Sequence, residues 1–266
     1  MAPLPSPRTL LPISLLVILL LALPLCLLAG DGQQANAPSP VPNPSASAKN
    51  LEEQGDALRA QKRYLDSLDF YSAAIAKYPT ALLWNKKGMA YLFLQKYSEA
   101  TKCFSRAIKA DKNAPEGYNN RGYMEQRNQN FNKAIQYYTK ALALQPNDAV
   151  FHYNLASSYF GKHQYDLAAQ QYRSAYLLDP DIFNRVSRIG VMAQSGSPED
   201  RAAFSFMVAK MYAQAGDLDH SFEYLRKAME AGYKNIKKVY TDSEFATLRT
   251  DKRFEELMSQ KPQPIP

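Results

Sequence analysis

The sequence predicts an all-α solenoid of stacked antiparallel helical hairpins, and three observations predict it. Small residues recur in phase. Gly55, Gly88, Gly122 and Ala156 are 33, 34 and 34 residues apart; Ala74, Ala107, Ala141 and Ala175 repeat those spacings, and so do Ser67, Ala100, Ala134 and Ala168. Apolar residues return at three- and four-residue intervals along the body, as amphipathic helices require. Breakers are scarce where helices are needed: nine of 17 prolines fall in the first 47 residues, and the chain has only 11 glycines. A turn-rich all-β fold is excluded on that ground.

The elements follow in order. Residues 1–30 hold an uncharged, leucine-rich run from Leu10 to Ala29 behind Arg8. Its length and flank fit either a cleaved signal peptide or a retained signal-anchor transmembrane helix. Both readings export the body across the cytoplasmic membrane, anchored by residues 10–29 or released. Cys26 follows Leu23, Pro24 and Leu25, a poor context for the lipidated cysteine of a lipoprotein. Residues 31–47, with Pro38, Pro40, Pro42 and Pro44 alternating and no aromatic residue, read as an extended disordered linker.

Four repeat units then occupy 48–80, 81–114, 115–148 and 149–182. In each, a first helix carries its small residue between larger apolar ones, and a second helix carries a small pair around an aromatic. Pro79, Pro146 and Pro180 close three of the four, since proline cannot continue a helix. The register then breaks by 19 residues, and 183–197 reads as an extra helix and loop. A fifth hairpin over 198–235 opens with Ser197 and Pro198 as N-cap and first-turn proline and turns at Gly216–Asp217. Residues 236–266 read as short capping helices and a tail. Asp242-x-x-Phe245-x-x-Leu248 and Asp251-x-x-Phe254-x-x-Leu257 each read as a capping aspartate followed by an apolar pair.

These residues resemble the tetratricopeptide repeat family. Its W…G-x2-Y…A-x3-F…A…P pattern is matched by Trp84, Gly88, Tyr91, Ala100, Phe104 and Ala107, with Lys112 in the proline slot. Tyr118, Gly122, Ala134, Tyr138, Ala141 and Pro146 match it again. So do His152, Ala156, Tyr159, Ala168, Tyr172, Ala175 and Pro180, and more weakly Leu51, Gly55, Ser67, Tyr71, Ala74 and Pro79. The closing tail resembles that of bacterial arrays. The resemblance implies a right-handed superhelix whose first helices line a concave groove that binds an extended peptide or partner protein. It thus implies a non-catalytic interaction scaffold of the bacterial cell envelope; the alternatives are a self-associating structural solenoid or an assembly or regulatory subunit of an envelope complex.

With that architecture, i, i+4, i+7 spacing places candidate groove residues on one side of each first helix. They are Asn85, Met89 and Leu92; Asn119, Tyr123 and Gln126; and Tyr153, Ser157 and Phe160. Amides can bond a peptide backbone while aromatic and thioether surfaces take its side chains. The carboxylate clamp by which some family members grip acidic chaperone tails is missing, only Asn120 agreeing with it.

Other chemistries find no support. There is no phosphate loop, no G-x-S-x-G and no HExxH, so no catalytic residue, metal site or cofactor is expected. His152, His163 and His220 lack zinc-ligand spacing. Cys103, beside Phe104, reads as a structural thiol. The formal charge of +7 comes from 32 basic and 25 acidic residues interleaved along the chain with no basic run beyond a pair. This predicts a solvated surface and no nucleic-acid partner. Membrane contact is expected only through a retained leader.

Overall fold

A computed structural model describes residues 39–183 and 197–260. The chain divides into two units, Met1–Pro40 and Val41–Pro266, and every helix below belongs to the second. The leader run, most of the linker, most of the 183–197 stretch read as an extra helix and loop, and the tail beyond 260 lie outside the described residues. Among the described residues there is no strand, and no helix is long and apolar enough to cross a membrane.

Eight helices form four consecutive hairpins: α1 (Ala48–Ala60) with α2 (Tyr64–Lys77), α3 (Ala81–Phe93) with α4 (Tyr97–Ala110), α5 (Pro115–Arg127) with α6 (Phe131–Leu144), and α7 (Ala149–Gly161) with α8 (Tyr165–Leu178). A further hairpin joins α9 (Pro198–Ala215) to α10 (Leu218–Glu230). Two short 3₁₀ helices, Ile236–Tyr240 and Ser243–Phe245, lead into α11 (Ala246–Thr250) and α12 (Arg253–Gln260). Helices adjacent in sequence are adjacent in space, so the apolar interior is a series of local clusters rather than one core. This is the stacked α-solenoid that the 34-residue period predicts.

The period exists because each hairpin closes on the same contact. Glycine on the first helix meets an aromatic ring on the second: Gly55 meets Tyr71, Gly88 meets Phe104 and Gly122 meets Tyr138. All three rings are fully buried. In the fourth hairpin Ala156 takes the glycine's place in the cluster of Tyr172.

The turns inside the hairpins repeat as well. Lys62, Gln95, Gln129 and His163 all have φ between 57° and 61°. The next backbone N–H then reaches back over the helix end: Arg63 to Leu58 O, Lys96 to Tyr91 O, Asn130 to Glu125 O and Gln164 to Tyr159 O. That is a Schellman-type stop at which glycine is the usual residue; among the described residues Gly216 supplies it inside the fifth hairpin and Gly232 after α10, where the Tyr233 N–H reaches Ala228 O. The second helices α2, α4, α6 and α8 accordingly start without a side-chain cap, whereas Ser47, Thr80, Asp148 and Ser197 cap first helices.

The C-terminal segment seals α9 and α10. Val239, Phe245 and Leu248 are fully buried and, with Phe254 and Leu257, pack on Phe206, Ala209, Ala213 and Leu225. Arg249 Nη1 holds the segment by donating to the carbonyls of Val239 (2.9 Å) and Asp242 (2.8 Å). The two Asp-x-x-Phe-x-x-Leu phrases fold differently from one another. Asp251 Oδ1 accepts the backbone N–H of Arg253 at 2.9 Å, but Asp242 makes no cap. Its carboxylate is drawn instead to Lys210, which also contacts Glu244 at 3.2 Å and Asp166 at 3.6 Å. Burial alone would lower the Lys210 pKa, but the hydrogen bonds to Asp242 and Glu244 raise it.

Candidate functional site

The first helices approach one another directly, α3 against α5 and α5 against α7. One hydrogen bond repeats between them. Asn120 Nδ2 donates to Asn85 Oδ1 at 2.7 Å, and Asn154 Nδ2 donates to Asn119 Oδ1 at 2.9 Å. Lys86, one period before Asn120, likewise donates to Glu52, which stands one period before Asn85. The same two helix positions are thus bonded across three successive interfaces, as an amide ladder that begins with an ion pair.

At the ladder's start the charges are mutually satisfied. Lys86 Nζ lies between the carboxylates of Glu52 and Asp56; Tyr71 OH donates to Asp56 Oδ1 at 2.8 Å, and Arg59 Nε donates to Tyr71 OH at 3.2 Å. Burial opposes the charge on Lys86, yet its bonds to Asp56 and Glu52 raise its pKa. Burial and the bond from its phenol to Asp56 push Tyr71 upward too.

The nine residues read from helical spacing fall into three environments. Asn119, Gln126 and Ser157 are buried, at 8%, 7% and 7% exposure. Gln126 is a hub: its Oε1 accepts from Tyr138 OH and Ser158 Oγ, both at 3.0 Å, while its Nε2 donates to Ser157 Oγ at 3.0 Å. Asn85, Met89, Leu92, Tyr153 and Phe160 are half-buried. Met89 and Leu92 rest on the cluster of Ala100, Phe104 and Met124. Tyr153 sets its ring edge-on to Tyr172 (5.1 Å) and Phe183 (5.8 Å), and burial pushes its phenol up to about 12. Phe160 meets Phe204 at 5.5 Å. Only Tyr123 stands open, at 40% exposure.

Other side chains on these helices share that openness without belonging to the i, i+4, i+7 set. Val150, three residues before Tyr153, is 43% exposed, and Phe93, next to Leu92, is 50% exposed. Phe93 stacks on Tyr64 at 4.9 Å, and one period later Arg127 lies over Tyr97 at 3.6 Å. The sequence signal that would have found this pair is the aromatic opening each second helix: Tyr64, Tyr97, Phe131 and Tyr165 keep spacings of 33, 34 and 34.

The groups presented along these helices are amides, aromatic rings and a thioether. Among the described residues no group of three or more His, Cys, Asp or Glu is arranged to hold a metal. Cys103 is buried, and burial raises its thiol pKa, the opposite of what a nucleophile needs. Two cavities lie elsewhere. One of about 310 Å³ lies between Tyr165, Lys210 and Tyr233, and one of about 380 Å³ between Phe222, Arg253 and Leu257.

Sequence models described as tetratricopeptide repeat match residues 81–114, 115–148 and 137–171. The yeast (Saccharomyces cerevisiae) small glutamine-rich tetratricopeptide repeat-containing protein 2 is 28% identical over 117 residues, which are 44% of this chain and 31% of that protein. The chain spans less than a third of the length of the curated relatives it matches. Among solved structures, the second TPR domain of human RPAP3 in complex with the HSP70 peptide SGPTIEEVD is 27% identical. It aligns with a TM-score of 0.41 over 44% of this chain and 98% of that one. MamA 41-end from Desulfovibrio magneticus RS-1 is 16% identical, with a TM-score of 0.49 over 73% of this chain and 97% of that one.

Proposed function

Because this chain is a tetratricopeptide repeat protein, we propose that it is a non-catalytic interaction scaffold that binds an extended peptide or partner segment along its first helices. The observation that carries the reading is the amide ladder with Tyr123 standing open beside it. The ladder fixes the spacing of α3, α5 and α7, so an extended chain laid across them meets polar amides at regular intervals. Tyr123, Val150 and the half-buried Met89 and Leu92 supply apolar contacts, and Tyr adds a hydroxyl that binds without burying a charge.

The surface also selects among peptides. Lys86 is held by Glu52 and Asp56, and Arg121 by Glu125. The ligand is therefore uncharged or weakly charged along its contact stretch, unlike an acidic tail. We further place the protein in the bacterial cell envelope, exported by the leader of residues 1–30, which acts as a signal or as a transmembrane anchor with 31–47 as spacer.

The test is affinity capture with Tyr123→Ala combined with Val150→Ala, two exposed positions whose truncation spares the packing. Partners retained by the natural chain should be lost from the double variant at unchanged helical content. Equal recovery of the same partners would show that they bind elsewhere. The N-terminal residue of the protein from fractionated cells separates a cleaved signal from an anchor.

A further inference from the structure

Most of the positive excess falls on one stretch of the body. Residues 81–148 hold eleven Lys and Arg against five Asp and Glu, so +6 of the formal +7 falls on the second and third hairpins. Residues 48–80 balance at five against five, and 149–183 hold two against three. Lys86 and Arg121 are neutralised by their ion pairs.

Much of the remainder gathers on the outer side of α4. Lys102, Arg106 and Lys109 follow i, i+4, i+7 and are exposed, opposite the buried Ala100, Cys103, Phe104 and Ala107. Lys140, one period after Arg106, is exposed at the same register on α6. Lys87 and Arg106 both lie over the Trp84 ring, at 5.8 and 4.7 Å from its centroid. Among the described residues none of these five cations has an ion-pair partner. Interleaved signs in the sequence become a segregated patch because helical periodicity collects every third or fourth residue.

We propose that this island (Lys87, Lys102, Arg106, Lys109 and Lys140) docks a short acidic segment of a partner polypeptide, separately from the ligand on the first helices. Its extent argues for a bounded partner. The positions equivalent to Lys102, Arg106 and Lys109 are Asp69, Ala73 and Ala76 on α2, and Gln170, Ser174 and Leu177 on α8. A membrane plane or a nucleic acid running along the stack would leave the island and meet Asp69 on one side and a neutral face on the other. No exposed large apolar side chain lies on α4 or α6 to enter a bilayer. Trp84, the aromatic residue at the island, is engaged by Lys87 and Arg106 rather than bare for stacking bases.

Trp84 is the chain's only tryptophan, so its fluorescence reports on the island. The full chain, held in a non-ionic detergent, is titrated with an oligo-glutamate peptide at low and at physiological ionic strength. Saturable change in Trp84 emission is expected, weakening at higher salt. Lys102→Glu with Lys109→Glu should weaken binding by more than about tenfold, and the neutral pair Lys102→Gln, Lys109→Gln by less. Tyr123→Ala, which disables the first-helix surface, should leave this titration unchanged. Equal affinity in the charge-reversed variant overturns the proposal. So does a tighter response to anionic vesicles or to a short DNA duplex than to the acidic peptide.

Discussion

Replacing Gly88 by alanine tests the contact on which the repeat is built. A methyl group at Gly88 would stand 2.5, 2.8 and 3.0 Å from three carbons of the Phe104 ring. Carbon atoms in favourable contact lie about 3.5–4.0 Å apart, so the ring must retreat by about 1 Å. Phe104 is fully buried and clustered with Ala100 and Met124, which leaves it no open direction. Overpacking of this kind costs about 1–3 kcal/mol, and three ring atoms inside the contact distance put the cost toward the upper end. Alanine's better helix propensity returns about 1 kcal/mol. The expected net loss is about 1–2 kcal/mol, or a Tm lower by about 3–6 °C for a body of this size. Circular dichroism melting of Gly88→Ala, Phe104→Leu and the double variant measures it. The two changes should be non-additive by at least about 0.5 kcal/mol in the direction of mutual relief. Ala156→Gly, where the fourth hairpin already holds a methyl, should instead lose about 1 kcal/mol from backbone freedom alone. A raised Tm for Gly88→Ala would refute the reasoning, because propensity would then outweigh a clash that does not exist.

Three further outcomes are expected. Gln126→Leu should cost about 2–3 kcal/mol, because Tyr138 and Ser158 lose their buried acceptor; adding Tyr138→Phe should recover part of it in chemical denaturation, and full additivity would dismiss the hub. Gln129→Gly should stabilise by about 0.5–1 kcal/mol, since φ is 60° there and glycine relieves the left-handed strain, whereas Gly216→Ala should destabilise by a similar amount. Burial raises the phenol pKa of Tyr71, Tyr138, Tyr172 and Tyr212. A raised folded-state pKa means stability that is complete below about pH 10 and falls as pH climbs above it. The phenolate absorbance of these four tyrosines should therefore appear together with loss of helix; their ionisation near pH 10 with the helices intact would contradict this.

Much of the fold was legible because its decisive contacts are local. Gly88 and Phe104 are 16 residues apart, and the same offset recurs at Gly55 with Tyr71 and Gly122 with Tyr138. A contact repeated at fixed separation leaves a periodic mark on composition. The turns repeat as faithfully in space but not in residue type. Lys62, Gln95, Gln129 and His163 share one backbone conformation imposed by the helix stop, and their side chains carry no common signal. The candidate site was legible by position and not by exposure. Spacing placed Tyr123 and Gln126 on neighbouring positions of one helix side, yet Tyr123 is open while Gln126 is sealed by Tyr138, Ser157 and Ser158.

By itself the sequence determined the helical class, the 34-residue period and the place of the small residues, because helix formation and hairpin closure depend on neighbours within one repeat. Only the tertiary structure decided which polar side chains became ladder, hub or open surface, since that depends on what the next repeat presents. Asn85 acquires its role from Asn120, Asn119 from Asn154, and Lys86 from Glu52. The charge followed the same rule: alternating signs along the chain became a basic island on α4 once helical geometry gathered Lys102, Arg106 and Lys109 on one side. Position in the chain sets the face, and the adjoining hairpin sets whether that face meets protein or solvent.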